Sequence, residues 1–401
     1  MPNVIDVDSA PSSEDSSPAA PCVTTVLFGA GASADAGMPL GKTLDSQLGQ
    51  SVSAYQDDAA AAWDYLLPHA GNFEDVYRLA RQLGTLQAFG LLVAGTEPAN
   101  HAAGAKALAG HEWDKDRPEA AGCLAWMAAE VLGQKLDDVD MSYLDPLDSV
   151  MQRQGRLTIS TLNYDSVVET WAASRPGYLQ NDDPEAWTPG TPWHPPSAGR
   201  LQLLKLHGSA DWCWKSLSPI GYRATGLPVV RRWDEPGTNS DPAIILGAGN
   251  KLRPGGPFLA LLEAFSASLE AADHLVVVGY SFADVHVNAR IGDWFDRDPA
   301  RRFITVVSRS WPTDPTDPTQ RYPSGFAELL DHRLRLGSSG GATAAGLLAA
   351  PQTGAPRLRA VRKPAKLGLA EALECPDVPQ AVDPLFKISL VEPGRTSDLL
   401  T

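Results

Sequence analysis

The sequence predicts an α/β protein: a doubly wound, Rossmann-like parallel sheet with an inserted helical module and no zinc ribbon. Three observations carry that expectation. Short runs that are apolar at nearly every position recur along the chain, as strands covered on both faces require. Helical periodicity alternates with strand runs, which calls for crossover connections and therefore parallel pairing. The first strand run ends directly in a glycine-rich turn, Gly29-Ala30-Gly31, the usual passage from a first strand to a first helix in such sheets.

Taken in order, residues 1–21 are rich in Ser, Pro and Asp and read as a disordered tail, without the basic start and apolar stretch of a secretory signal. Thr24–Phe28 (TTVLF) is the first buried strand. Residues 44–150 are Ala- and Leu-rich, with helical spacing over Phe73–Leu83 and Ala120–Leu132, and read as the helical insertion. Strand runs return at Arg156–Thr161, Leu201–Leu206, Ala243–Leu246, His274–Val278 and Phe303–Val307. Between two of them, Leu261, Leu262, Phe265 and Leu269 give Phe258–Ala272 one apolar helical face. Residues 174–200 and 216–241 are Pro- and Gly-rich and read as long loops. Residues 338–356 are small and featureless and read as flexible. The expected organisation is a tail (1–21), one nucleotide-binding domain (22–336, insertion 44–150) and a C-terminal extension (337–401).

Composition bounds the function. With 401 residues, 43% of them hydrophobic and 20% charged, the chain can bury a sizeable core. A net charge of −15 argues against a nucleic-acid coat, because phosphate binding needs a basic surface. The basic run Arg357, Arg359, Arg362, Lys363 and Lys366 is best read as a solvated or subunit-contacting stretch. Four cysteines, Cys22, Cys123, Cys213 and Cys375, form no C-x-x-C pair, so no zinc ribbon and no disulfide framework is expected. No run of 18 apolar residues appears, so no membrane span is expected and the setting predicted is cytoplasmic.

Four motifs carry chemistry. Gly29-Ala30-Gly31-Ala32-Ser33-Ala34-Asp35-Ala36-Gly37-Met38-Pro39 suits a pyrophosphate beside a helix N-terminus, or simply a tight turn. An overlapping Ala36-to-Thr43 match to a phosphate loop, with Gly41-Lys42-Thr43, lies too far from its strand to be favoured. Thr161-Leu162-Asn163-Tyr164-Asp165 places polar side chains at a strand's carboxyl end, where open sheets bind ligands, although a local turn would use the same residues. His207-Gly208-Ser209 ends the next strand with a candidate acid–base group. Gly279-Tyr280-Ser281-Phe282-Ala283-Asp284 follows His274–Val278 and also fits a degenerate nucleophile elbow with Ser281 as nucleophile. Asp284, His286 and Asn288 fit a capped helix start better than a metal site. Glu74 and Asp75 suit a helix N-terminus, while Trp212 and Trp214 suit either a pocket wall or the core.

Read together and in order, these motifs resemble the sirtuin superfamily. GAGASADAGMP, TLNYD, KLHGSADW and GYSFADVHVN are similar to the sirtuin-like bacterial anti-phage defence NADases rather than to the protein deacylases. The resemblance implies NAD as substrate and no metal. It implies a pyrophosphate held by Gly29, Ala30, Gly31 and Ser33, with Gly37 and Thr161 lining the site and Gly279 and Ser281 on the adenosine side. It implies Asn163 and Asp165 at the nicotinamide ribose, and His207 as the base on the ribose hydroxyls. Deacylases carry two C-x-x-C pairs after the histidine and an Asp-Phe-Arg segment after the first loop. Here Cys213 alone follows closely, and Leu40-Gly41-Lys42 stands in the second place. The activity implied is therefore hydrolysis of the nicotinamide–ribose bond to nicotinamide and ADP-ribose, in abortive infection. Implied partners are further copies of the chain, a HerA-type ATPase, a short Argonaute or another defence protein, with nucleic acid involved only indirectly. A deacylase, an NAD- or ADP-ribose-sensing module without turnover, and a serine hydrolase are the alternatives.

Overall fold

A computed structural model describes residues 22–55, 58–85, 120–133, 136, 138–180, 183–187, 192–214, 230–232, 242–246, 256–298, 301–309 and 358–374. The proposed tail (1–21) and flexible stretch (338–356) lie outside them. Among the described residues seven strands form one sheet: β1 (Thr24–Phe28), β2 (Leu157–Thr161), β3 (Leu179–Gln180), β4 (Leu201–Lys205), β8 (His274–Val278), β9 (Phe303–Val307) and β10 (Leu358–Val361). Their order is β10-β9-β8-β1-β2-β4-β3, and every pairing is parallel. The chain leaves central β1 toward β2 on one side and later returns to β8 on the other, so the sheet is doubly wound, as the sequence predicts.

Alternation explains why these runs are strands. Val26 and Phe28 of β1, Leu157 and Ile159 of β2 and Val276 and Val278 of β8 enter one core; Leu27, Leu275 and Val277 enter a second. A period of two with both sets apolar is the pattern of a strand covered on both faces. The first core takes α2 (Lys42–Tyr55), α3 (Asp58–Leu66), α4 (Phe73–Thr85) and α5 (Ala120–Leu132). It also takes α6 (Pro146–Gln154), α7 (Val167–Ala173) and α10 (Ala365–Ala372). The second takes α8 (Phe258–Glu270) and α9 (Val285–Arg297), through Leu261, Phe265, Ile291 and Trp294. Between β1 and β2 every described element is helical, beginning with the short α1 (Ala30–Ser33).

A second sheet was not legible in the sequence. β5 (Gly208–Trp214), β6 (Val230–Arg232) and β7 (Pro242–Ile244) form an antiparallel sheet in the order β6-β5-β7. The run Ala243–Leu246 therefore belongs here and not to the parallel sheet. Helix α5 packs against β5 and β7. Trp212 is buried in the second core and Trp214 tilts against Phe258 at 5.8 Å, so both serve packing.

Two other expectations change. β10 and α10 lie in the stretch assigned to a C-terminal extension, yet β10 is the sheet's edge strand. Within that stretch Lys363 pairs with Glu371 at 2.7 Å and Lys366 with Asp140 at 3.2 Å, so these basic residues fold against neighbouring acids. Cys22 is disulfide-bonded, whereas Cys213 is buried and forms no disulfide. Separation along the chain does not exclude a bridge, since only the folded distance decides.

Candidate active site

The carboxyl ends of β1, β2, β4 and β8 deliver four loops to one edge of the sheet. Gly29 leaves β1 and its N–H donates to the Val278 carbonyl at 2.9 Å; Gly31 N–H donates to the Gly279 carbonyl at 2.9 Å. These loops pack backbone on backbone. A Cβ on Gly279, at φ +63°, would lie 2.4 Å from Ala32 N, and one on Gly29 would lie 2.6 Å from Tyr280 Cα. The glycine pattern thus answers to loop-on-loop packing, and the Gly31 N–H is already engaged within the protein. Gly37, at φ +84°, ends a 3-10 turn over Ala34–Ala36 and is exposed; a Cβ there would meet no atom within 4 Å. Its requirement is conformational.

Asn163 follows β2 and is buried. Its Nδ2 donates to the Gly29 carbonyl at 3.0 Å and to Ser33 Oγ at 2.9 Å, and its own N–H donates to Thr161 Oγ1 at 3.1 Å. The network fixes which way the amide points. With both Nδ2 protons engaged, the atom Asn163 presents to a ligand is Oδ1, an acceptor. Ser33 and Thr161, both buried, thus orient the asparagine. Asp165 is buried as well, and its Oδ1 accepts from Val167 N at 3.1 Å, shaping the turn into α7. The local-turn reading of this residue is therefore real, whatever else it does.

Beneath these loops Lys205, the last residue of β4, is buried and bonds the Asp165 carbonyl and Glu169 Oε1, the latter at 2.7 Å. Burial pushes the Glu169 carboxyl up while Lys205 opposes that shift. Tyr143 joins the same floor through its hydroxyl, which donates to the Ala32 carbonyl at 2.8 Å. Burial pushes this phenol up, aided by the charges of Asp165 and Asp35. Tyr143 carried no sequence signal. Lys205 falls within KLHGSADW, but nothing in that stretch marks it as a buried cation.

His207 follows β4 and is buried, its ring tilted toward Tyr164 at 6.4 Å. Its Nε2 lies 2.8 Å from Asp284 Oδ2. Asp284 also caps α9, accepting from His286 N at 2.9 Å and Val287 N at 3.1 Å on Oδ1. The capped-start reading of Asp284 holds, and the histidine contact is an addition that spacing along the chain did not reveal. Tyr280 Oη accepts from Asp284 N at 3.0 Å and reaches Asn288 Oδ1 at 2.9 Å; Asn288 Nδ2 donates to the Phe282 carbonyl at 2.6 Å. Burial, then the Asp284 charge, push the Tyr280 phenol up, so it stays protonated.

The remaining candidates are peripheral to this network. Ala30 and Ser281 are exposed at the loop surfaces. The positive φ that a nucleophile elbow places on its serine falls instead on buried Phe282, at 57°, and His207 pairs with Asp284 rather than with Ser281. Lys42 opens α2 well after β1, unlike the lysine of a phosphate loop. Asp75 sits in the first turn of α4, its N–H bonded to Asn72 Oδ1 at 2.9 Å, so it belongs to a helix start. Among the described residues no group of three or more His, Cys, Asp or Glu is gathered to hold a metal. Among them no helix is long and apolar enough to cross a membrane.

Comparison with known proteins finds one family model. Residues 157–323 match the SIR2-like domain model. That span starts at β2 and so excludes the first glycine loop, which the fold nevertheless brings against Asn163. A Sir2 homologue solved with NAD is similar at 16% identity and a TM-score of 0.36, covering 79% of this chain and 90% of its own. A Sir2 homologue mutant with 2′-O-acetyl ADP-ribose shows 15% identity, a TM-score of 0.35 and coverage of 79% and 94%. A Sir2 complex with the inhibitor EX-527, 2′-O-acetyl-ADP-ribose and a deacetylated p53 peptide shows 13% identity, a TM-score of 0.30 and coverage of 77% and 93%. No curated protein matches this chain. Over residues 157–323 the chain is therefore similar to the SIR2-like domain.

Proposed function

We propose that this protein uses NAD and is an NAD glycohydrolase, cleaving the nicotinamide–ribose bond to give nicotinamide and ADP-ribose. The observation that carries the reading is Asn163, held so that its acceptor Oδ1 is what it offers a ligand, on an edge shared with buried His207. An asparagine acceptor and an imidazole suit a hydroxyl-rich ribose, which donates hydrogen bonds. The substrate supplies a cationic leaving group, and its departure develops positive charge on the sugar, as in glycoside hydrolysis. Asn163 Oδ1 stabilises that charge or holds the attacking water. His207 accepts a hydroxyl proton. Water adds its oxygen to the sugar carbon, nicotinamide leaves with the bonding pair, and one proton is released. Ser33, Thr161 and the Gly29 carbonyl keep Asn163 in place, so that little reorganisation accompanies the reaction.

Hydrolysis is favoured over deacylation because the sequence holds no C-x-x-C pair to brace a zinc lobe after His207. Purified protein with NAD and no acylated peptide releases nicotinamide and ADP-ribose in this reading. Release that requires an acyl-lysine peptide identifies a deacylase, and binding without turnover identifies a sensor.

The role in abortive infection and the gating by a partner or by oligomerisation rest on the family resemblance. Unrestrained NAD loss kills a host, so restraint is expected. Cellular NAD measured with the chain alone and with its genomic neighbour tests this. Equal NAD loss in both sinks the partner.

A further inference from the structure

We infer that Asp284 is a positioning residue for His207, holding the imidazole in the neutral tautomer whose proton sits on Nε2 and whose Nδ1 is the acceptor. The inference starts from the carboxylate's surroundings. Oδ1 receives two backbone N–H groups at the N-terminus of α9, and the cap and helix dipole together favour the ionised form. An ionised carboxylate only accepts, so at 2.8 Å from Oδ2 the His207 Nε2 must be the donor. In the neutral ring, donation from Nε2 makes Nδ1 the acceptor, which is the state a general base needs.

The loop is built to keep Oδ2 where it is. Tyr280 Oη holds Asp284 N, and Asn288 Nδ2 holds the Phe282 carbonyl across a residue in the left-handed region. Strain on a buried non-glycine residue persists only where its surroundings impose it. Gly279, packed on Gly31, anchors the start of this loop to the turn that carries the Asn163 acceptors. One loop therefore sets the first glycine turn and the histidine together.

The kinetic part of the test rests on the proposed NAD cleavage; the spectroscopic part does not. Asp284→Asn preserves the cap, because Asn caps helices as well as Asp, but its Nδ2 turns toward His207 and donates. The imidazole then accepts on Nε2 and carries its proton on Nδ1. In full-length protein labelled with 15N-histidine at neutral pH, the His207 ring, assigned by its loss in His207→Gln, is expected as the Nε2–H tautomer. In Asp284→Asn it is expected as Nδ1–H, with an unchanged melting temperature. A wild-type ring that is Nδ1–H or doubly protonated overturns the inference, whatever the activity. In NAD cleavage, Asp284→Asn is expected to lower kcat by about a hundredfold with little change in KM. No further loss is expected when it is added to His207→Ala. An unchanged kcat in Asp284→Asn overturns the inference if His207→Ala is inactive. If His207→Ala and Asn163→Ala both retain activity while the ring switches as expected, the proposed reaction fails and the positioning stands.

Discussion

Two buried histidines stand at opposite ends of the same parallel sheet, and their neighbours differ in kind. His207, past the carboxyl end of β4, faces a carboxylate, Asp284, at 2.8 Å. His274, the first residue of β8, faces hydroxyls, Thr305 Oγ1 at 2.9 Å and Thr24 Oγ1 at 3.4 Å, and stacks on Phe303 at 4.2 Å. Burial, aided by the charges of Arg359 and Arg153, pushes His274 down to about 3 and keeps it neutral. Burial alone therefore does not mark a functional histidine. The hydroxyl partners of His274 go with a core group, whereas the carboxylate beside His207, within a convergence of loops, is the partner proposed to fix its tautomer.

The largest expected effect tests the floor of the carboxyl end. Lys205→Met leaves Glu169 buried beside the Asp165 loop without its cation, and is expected to cost about 3 kcal/mol. Lys205→Met with Glu169→Leu should recover much of that. Urea denaturation of the three proteins measures it, and equal midpoints would show the pair to be dispensable.

Next come the two groups proposed to face the ligand. Asn163→Ala and His207→Ala are each expected to lower nicotinamide release by about a hundredfold or more. His274→Asn should leave the rate per folded molecule unchanged. A large rate loss in His274→Asn alone breaks the contrast between the two ends.

Glycine sharpens the picture within the site. Gly279→Ala introduces both left-handed strain and a clash with Ala32, and is expected to cost about 2 kcal/mol or more. Gly37→Ala meets no neighbour and is expected to cost about 1 kcal/mol. A reversal of that order, measured by chemical denaturation, contradicts the loop packing.

The most gradual effect is the pH response of the amino end. The folded value of His274 lies below its unfolded value of 6.5. Between the two, the unfolded chain binds more protons, so this contribution is whole above about 6.5 and is lost as pH falls toward 3. The slope is at most about 1.4 kcal/mol per pH unit. His274→Asn should flatten it in denaturation curves taken across that window, and an unaltered slope would remove His274 as its source.

Much of this was legible along the chain. β1, β8 and β9 coincide with the apolar runs TTVLF, HLVVV and FITVV, because a strand buried on both faces has to be apolar throughout. β5 escaped notice because GSADWCW mixes small, charged and aromatic residues, and its pattern is neither uniformly apolar nor cleanly alternating. β3 and β6 are too short to show a pattern. Asn163 and His207 were readable as candidates because each lies just past a strand's carboxyl end, where open sheets bind ligands. Asp284 was readable as a cap and not as a partner of His207, because 77 residues separate them.

By itself the sequence determined the parallel sheet, the helical stretch after β1 and the loops that carry polar groups, since periodicity and turn chemistry act over a few residues. Only the tertiary structure decided that Gly29, Gly31 and Gly279 serve loop packing, that the Asn163 amide donates to Gly29 and Ser33, that β10 joins the sheet beside β9 and that Asp284 meets His207. Those outcomes depend on distances between segments remote in the chain, which local patterning does not encode.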